Sequence, residues 1–270
     1  MQGRLEKMIT HYEVPIRYEL VLSEQKIPLN TFIGKSLHLN FSGKLSCIHC
    51  HQVMKKSFNQ GYCYACFSRL AQCDLCIVRP ETCHYAAGTC RDTEWALAFC
   101  FQPHIVYLAN TSGLKVGITR HTQIPTRWID QGAIQALPIM KVASRVLAGQ
   151  VESVLANYVN DKTHWQKMLK NIIAPIDLKQ ERDSLLATCA DALQNIQDKG
   201  GETFEILKTA QWDLTFPIEQ APQKIIALSF DKQPNISGTL QGIKGQYLLL
   251  DTGVLNIRKF AGYEISLTLD

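Results

Sequence analysis

The sequence has few charged residues and lacks long hydrophobic runs. Only 19% of its 270 residues are Asp, Glu, Lys or Arg, whereas 46% are apolar, and this composition excludes a disordered chain. No apolar stretch reaches the roughly 20 residues that a membrane-spanning helix needs. Residues 1–27 also lack the apolar core of a secretory signal peptide. We therefore expect a globular, cytoplasmic protein.

The excess of positive charge is small. The chain has 28 Lys and Arg against 24 Asp and Glu, for a formal net charge of +4 and a pI near 8.5. A balance of this kind permits a polyanionic partner without identifying one. The length suits two or three small domains better than one.

Cysteine, in contrast, is abundant and clustered, with eight of the ten cysteines at positions 47–90. Two Cys-x-x-Cys pairs, Cys47 with Cys50 and Cys63 with Cys66, are separated by twelve residues. This is the spacing of a zinc ribbon. A Cys-x-x-Cys turn places two thiolates on one side of the backbone, so two such turns complete a tetrahedral shell around one Zn²⁺.

The other clustered thiols predict a second zinc site, with the ligands Cys73, Cys76, Cys83 and Cys90. Three alternatives remain open. His84 can replace one of the two later cysteines, His49 or His51 can compete in the first site, and the first knuckle can pair with the third. Disulfides would require an oxidising compartment. We expect two structural Zn²⁺ ions, because four protein ligands leave no open position for a substrate.

Alternation typical of β-strands is found towards both ends of the chain. It covers residues 17–22 and 37–41 near the start, and shorter stretches within residues 204–260. The N-terminal strands alone are too few to bury a core. We therefore expect them to pair with the C-terminal strands in one β-rich domain, in which Gly238, Gly242 and Gly245 suggest the bends of a small barrel.

The middle of the chain predicts the order β-β-α-β-α. Two strands at 105–108 and 114–119 flank a turn, and a short helix follows at 126–131. A third strand at 134–142 contains Pro138, which favours an edge position. Residues 144–158 have the spacing of an amphipathic helix. One further helix is predicted over residues 178–196, with Cys189 on its apolar face.

These patterns together predict a multidomain α+β protein. The zinc-binding region at 46–95 and the α/β module at 96–175 would be inserted in the β-rich domain. The two parts of that domain would be residues 1–45 and 200–270, and residues 176–199 would form a helical connector.

The α/β module resembles the GIY-YIG endonuclease superfamily over about residues 103–160. Ile105-Val106-Tyr107 stands where that family has its first signature triplet, and Lys115-Val116-Gly117 where it has the second. Ile105 replaces the first glycine, and Lys115 replaces the second tyrosine. The whole chain also resembles a bacterial family of unknown function that joins zinc knuckles to this module.

The resemblance implies a phosphodiesterase that depends on a divalent metal and acts on DNA or RNA. Tyr107 would assist the attacking water, Arg127 would hold phosphate oxygens, and Glu152 would carry Mg²⁺ or Mn²⁺. Lys115 would add positive charge. These side chains are expected in one cleft, with Tyr107 on the exposed face of its hairpin.

Two alternatives to a nuclease follow from the same residues. Lys115 in place of tyrosine favours a nucleic-acid-binding protein without catalytic activity. The small net charge favours a protein-interaction function, in which the zinc sites only stabilise a small domain.

Overall fold

The computed structural model describes residues 1–159, 162–200 and 204–269. Gly201, at the predicted start of the C-terminal segment, lies outside these ranges. Helices comprise 29% of the structure and strands 32%, as expected for a mixed class. The strands are β1 (Gln2–Arg4), β2 (Ile9–His11), β3 (Arg17–Leu22), β4 (Gln25–Pro28), β5 (Ser36–Leu45), β6 (His104–Asn110), β7 (Leu114–Arg120), β8 (Gln135–Val142), β9 (Glu205–Ile206), β10 (Trp212–Asp213), β11 (Asn235–Lys244), β12 (Tyr247–Leu250), β13 (Gly253–Asn256) and β14 (Tyr263–Leu269).

The α-helices are short. They are α1 (Tyr64–Arg69), α2 (Thr93–Phe99), α3 (Thr126–Asp130), α4 (Arg145–Leu155), α5 (Trp165–Leu169), α6 (Leu178–Thr188) and α7 (Ala190–Gly200). Within the described ranges, none combines the length and the apolar character of a membrane-spanning helix.

Strands from the two chain ends form one six-stranded sheet, in the order β1-β14-β5-β11-β12-β13. The last strand, β14, lies between the N-terminal strands β1 and β5, with Gly3 opposite Ile265 and Leu39 opposite Leu267. Strands from the two chain ends therefore share one sheet. A separate three-stranded sheet has the order β2-β3-β4.

The six-stranded sheet is open, so the small barrel expected from the glycine pattern is not formed. Its outer strands, β1 and β13, do not pair with each other in the described part of the chain. Other segments cover both edges instead. The amide of Ser23 donates to the carbonyl of Arg4 (2.8 Å), and the amide of Val254 donates to the carbonyl of Ile226 (2.8 Å). The backbone N–H and C=O groups at a covered edge have hydrogen-bond partners, so the sheet does not need to close into a barrel.

The middle sheet has the order β10-β8-β6-β7, with β9 also paired to β8. The elements β6, β7, α3, β8 and α4 follow one another in the expected β-β-α-β-α order. The edge position expected for Pro138 is not found, because β9 and β10 pair with β8. Strand β9 pairs with residues 140–141 of β8, and β10 pairs with residues 135–136. Neither strand pairs with Pro138, which has no N–H to donate.

Strand β6 is buried on both faces. Ile105, Tyr107 and Ala109 belong to the largest hydrophobic cluster, which also contains residues of the terminal sheets. Val106 and Leu108 face a second cluster formed with α4, α6 and α7. The middle sheet is thus packed between the terminal β-structure and a helical layer. The division into separately folding domains stays a prediction.

The single helix expected over residues 178–196 is two helices, α6 and α7. Cys189 separates them, because its ψ of 6° departs from the helical value. It is 1% exposed and belongs to the second cluster, as expected for an apolar thiol. Its amide still donates to Leu185 and its carbonyl accepts from Leu193, so the apolar spacing continues across the break.

Candidate metal centre and basic cavity

The first four cysteines form a tetrad that could bind a metal ion. Their ligand atoms, on Cys47, Cys50, Cys63 and Cys66, all lie within 4.8 Å of one another. The thiols of Cys50 and Cys63 are 3.7 Å apart. Four soft thiolates in a compact group fit a tetrahedral structural zinc site. His49 and His51 are not part of this group.

Two backbone turns bring these thiols together. The amide of His51 donates to the carbonyl of Cys47 (3.0 Å), which closes the first Cys-x-x-Cys turn. Cys63 is the N-cap residue of α1, and its sulfur accepts from the amide of Cys66. Gly61 lies between the turns at a φ of +131°, and an added Cβ would be 2.7 Å from Cγ2 of Ile48. Glycine is therefore needed for the close approach of the two turns.

Backbone hydrogen bonds prepare one of the thiols for ionisation. Burial alone would raise the pKa of Cys47, but the amides of Cys50, Cys63 and His49 donate to its sulfur and lower the pKa to about 6. The thiolate is the form that binds metal, so this environment favours metal uptake.

Among the described residues, the second predicted zinc set does not form a compact group of ligand atoms like the first. Cys73 is 7% exposed, and the Asn59 side chain forms a hydrogen bond with its sulfur. Cys76 and Cys83 line a small separate cavity. His84 lies near Cys76 and Asp74, and the ligand atoms of these three residues are within 4.8 Å of one another. All ten cysteines of the chain are free thiols.

A second candidate site is a large cavity of about 1110 Å³, where the zinc-binding region, the middle sheet and both chain ends meet. All four residues predicted to be catalytic line it: Tyr107, Lys115, Arg127 and Glu152. Strands β6 and β7, helix α3 and helix α4 each supply one of them.

Tyr107 is fully buried in the structure, so its expected position on an exposed face is wrong. Its ring packs edge-on against Trp128, with the ring centroids 5.8 Å apart. Gly117 lies directly opposite on β7, where an added Cβ would be 2.6 Å from the Tyr107 hydroxyl oxygen. Glycine at position 117 therefore makes the space in which the tyrosine side chain lies.

Gln131 connects Tyr107 to Arg127. In the amide orientation that satisfies both ends, its nitrogen donates to the Tyr107 hydroxyl (2.9 Å) and its oxygen accepts from Arg127 Nη2 and Nε (3.3 Å each). The hydroxyl hydrogen is then free to donate to another group. Burial raises the pKa of Tyr107, against the opposing charge of Arg127. The phenol is consequently protonated at neutral pH.

Positive charge dominates the cavity wall. Eight basic side chains line it: Arg4, Lys7, Arg91, Lys115, Arg120, Arg127, Arg145 and Arg258. Four acidic side chains line it: Glu6, Asp74, Asp130 and Glu152. The first three of these carboxylates form ion pairs with Arg4 (2.9 Å), Arg91 (2.7 Å) and Lys7 (2.5 Å), respectively. The cavity is therefore suited to an anion.

Sequence reasoning missed Arg145, Arg258 and Arg4 as cavity residues. Arg145 begins α4, and its Nη2 donates to the carbonyl of Ile77 (2.5 Å), which connects the cysteine-rich loops to α4. Burial lowers the pKa of both Arg145 and Arg258. Arg4, Arg145 and Arg258 lie far apart in the chain, so no local sequence pattern marks them as neighbours in one cavity.

The protein has a mixed helix-and-sheet fold, and its cysteine tetrad is compatible with zinc binding. The chain belongs to the family described as "Protein of unknown function (DUF2797)", whose model matches residues 34–265. Comparisons with curated proteins and with solved structures gave no match. The match includes the cysteines and the cavity strands, and the family description names no activity.

Proposed function

We propose that this chain is a zinc-containing, cytoplasmic nucleic-acid-binding protein, and that its basic cavity cleaves phosphodiester bonds with the help of a divalent ion. The observation that carries the proposal is the meeting of Tyr107, Lys115, Arg127 and Glu152 at this cavity. Residue types that suit phosphodiester hydrolysis thus converge from four different elements.

The size and charge of the cavity support a polyanionic ligand. Its volume exceeds the range of about 300–1,000 Å³ that is usual for small-molecule sites. Arginine side chains present planar donors that match phosphate oxygens. A nucleic-acid backbone offers many such oxygens in a row, whereas a small metabolite offers few.

Each predicted residue has a role in the proposed reaction. Arg127 and Lys115 would neutralise charge on the phosphate in the transition state. Tyr107, protonated and held by Gln131, would donate a hydrogen bond to a phosphate oxygen. Glu152 is the carboxylate proposed to hold Mg²⁺ or Mn²⁺, which would activate water and stabilise the leaving oxygen. The cysteine tetrad would hold a structural Zn²⁺.

A second candidate function is nucleic-acid binding without cleavage. The specific observation in its favour is Lys115, a lysine in place of the second signature tyrosine of the nucleases that the module resembles. Its Nζ lies 3.5 Å from Oγ1 of Thr163 and it is 5% exposed. A lysine ammonium can bind phosphate, but unlike a phenol it cannot accept a hydrogen bond from an attacking water.

Glu152→Gln separates the two functions. We expect the parent protein to cut DNA or RNA in Mg²⁺ or Mn²⁺, and the variant to lose about 100-fold or more of that rate. Binding should stay intact or become tighter, because a carboxylate that repels phosphate is neutralised. Gel assays of cleavage and fluorescence anisotropy of binding give the two readouts. Glu94→Gln, at an exposed glutamate outside the cavity, is the matched control.

A parent protein that binds nucleic acid but never cuts it, with either ion, would support the non-catalytic function. A parent that neither binds nor cuts would remove the nucleic-acid proposal altogether.

A further inference from the structure

Three residues of the cysteine-rich region bring different metal-binding atoms together. The ligand atoms of Asp74, Cys76 and His84 all lie within 4.8 Å of one another. The sequence spacing predicted Cys76 as a ligand of the second site and left His84 as an alternative, but it gave no role to Asp74. The group combines a carboxylate, a thiol and an imidazole, which are the three types of side chain that bind Zn²⁺ in proteins.

Hydrogen bonds fix the orientation of the His84 ring. Its Nδ1 lies 2.8 Å from Oγ1 of Thr89, and that hydroxyl donates to the carbonyl oxygen of His84 (3.3 Å). Because the hydroxyl hydrogen is used in this way, Oγ1 accepts from Nδ1–H, and Nε2 of the neutral ring keeps a lone pair. Histidines that bind a metal through one ring nitrogen usually donate through the other in the same manner.

The unprotonated Nε2 of His84 lies close to another acceptor. Its distance to Oδ2 of Asp74 is 3.4 Å. With a neutral ring, neither of these two atoms has a hydrogen to donate to the other. Two ligand atoms bound at about 2.0–2.1 Å to a tetrahedral Zn²⁺ are about 3.4 Å apart. The observed separation therefore fits two ligands of one zinc ion.

The carboxylate of Asp74 is held in place by Arg91. Its Oδ2 accepts from Nε of Arg91 (2.7 Å), whose Nη1 donates to the carbonyls of Phe67 (3.1 Å) and Leu70 (3.2 Å). Carboxylates that bind a metal commonly have a hydrogen-bond partner of this kind. A carboxylate has about four acceptor sites, so the arginine leaves sites for a metal ion.

We propose that Asp74, Cys76 and His84 bind a second Zn²⁺, whose fourth tetrahedral position is open to water or a small anion. Mixed oxygen, sulfur and nitrogen ligands suit zinc, whereas Mg²⁺ and Ca²⁺ prefer oxygen alone. The side chains of His84 and Asp74 are 34% and 12% exposed, so solvent reaches the group. Asp74 also lines the basic cavity. Bound metal would fasten this part of the cavity wall, whether or not the cavity binds nucleic acid.

X-ray absorption at the zinc edge tests the ligand set on the purified 270-residue chain. Elemental analysis after gel filtration should find about two equivalents of zinc, one in the cysteine tetrad and one in the new site. The tetrad supplies four sulfur ligands and the new site one, so we expect about 2.5 sulfur and about 1.5 nitrogen or oxygen neighbours per zinc. Zn–S distances of about 2.3 Å and Zn–N or Zn–O distances of about 2.0–2.2 Å separate the two shells.

An average of about 3.5 or more sulfur neighbours per zinc would overturn the proposal, because the second ion would then be held mainly by thiolates. A single equivalent of zinc in the parent protein would also overturn it, and would leave His84 and Asp74 as an ion pair. Neither measurement requires a variant to fold.

Substitutions identify the individual ligands. His84→Ala and Cys76→Ser should each lower the zinc content from about two equivalents to about one, and the remaining ion should have about four sulfur neighbours. Cys90→Ser should keep two equivalents, because Cys90 is not in the group. His49→Ala is the matched control, since His49 is an exposed histidine outside the group. Loss of one equivalent by Cys90→Ser, with both retained by His84→Ala, would show that the assignment is wrong.

Discussion

Arg127 is the residue whose removal affects the proposed phosphate binding most directly. It lines the basic cavity and reaches Gln131, which links it to Tyr107. Arg127→Ala should weaken nucleic-acid binding about tenfold at low salt, because one charge-assisted contact is lost. The slope of log affinity against log salt concentration should also fall by about one. Anisotropy titrations at several salt concentrations measure both quantities.

Arg69→Ala is the matched control for this experiment, because Arg69 is exposed and lies outside the cavity. It should leave the affinity and the salt slope close to those of the parent. Equal effects of the two substitutions would mean that binding depends on overall charge and not on the cavity.

At the residue scale, the sequence predicted the cysteine tetrad better than the cavity. The Cys-x-x-Cys spacing is local, so Cys47 and Cys50 could be assigned from neighbouring residues alone. Tyr107 was expected on an exposed face because alternation along a strand shows that two faces exist but not what packs on each. Arg258 could not be found, because only tertiary folding brings the C-terminal segment to the cavity.

Helix α4 and the cysteine-rich loops meet at Gly149, which is the basis of a prediction at the element scale. A Cβ at position 149 would be 2.5 Å from Cβ of Pro80 and 2.9 Å from the amide nitrogen of Glu81. Alanine usually stabilises a helix by about 1 kcal/mol relative to glycine. Gly149→Ala should instead lower the free energy of unfolding by about 1–3 kcal/mol, because the loop is forced away from the helix.

Chemical denaturation of Gly149→Ala and of Ser153→Ala provides the comparison. Ser153 is on the same helix but is exposed, so its change to alanine should be neutral or slightly stabilising. If Gly149→Ala is also stabilising, the loop does not pack on α4 as described.

At the element scale, long periodic segments were predictable and their interruptions were not. The order β-β-α-β-α followed from hydrophobic spacing. The sequence pattern does not show the break between α6 and α7 at Cys189, because the apolar face continues across it. The short strands β9 and β10 were missed as partners of β8, since two-residue strands have no measurable period.

The two chain ends depend on each other across the whole molecule. In the terminal sheet, β5 separates β14 from β11, so the C-terminal strands do not form a continuous sheet without the N-terminal segment. Residues 200–270 expressed alone should therefore be unfolded or aggregated. Circular dichroism and a thermal scan give the readout. A soluble fragment with a cooperative transition would make the C-terminal segment an independent domain.

The pairing of the chain ends was predictable from an incomplete set of strands, but the shape of the sheet was not. Alternation shows which residues of a strand are half-buried, but not whether the outer strands β1 and β13 pair to close the sheet. Closure depends on the irregular segments that cover the outer strands. One example is Ile226, whose carbonyl accepts from Val254 at the β13 edge.

Photo-crosslinking tests the central claim, that nucleic acid occupies the basic cavity. Oligonucleotides of DNA and RNA that carry photoreactive bases would be bound to the 270-residue chain at low salt and irradiated, and the crosslinks would be mapped by peptide mass spectrometry. We predict crosslinks at residues that line the cavity, such as Tyr62 and Phe67, and fewer of these crosslinks in Arg127→Ala, because that variant binds more weakly. Crosslinks confined to surfaces outside the cavity, or no binding to either nucleic acid, would contradict the account.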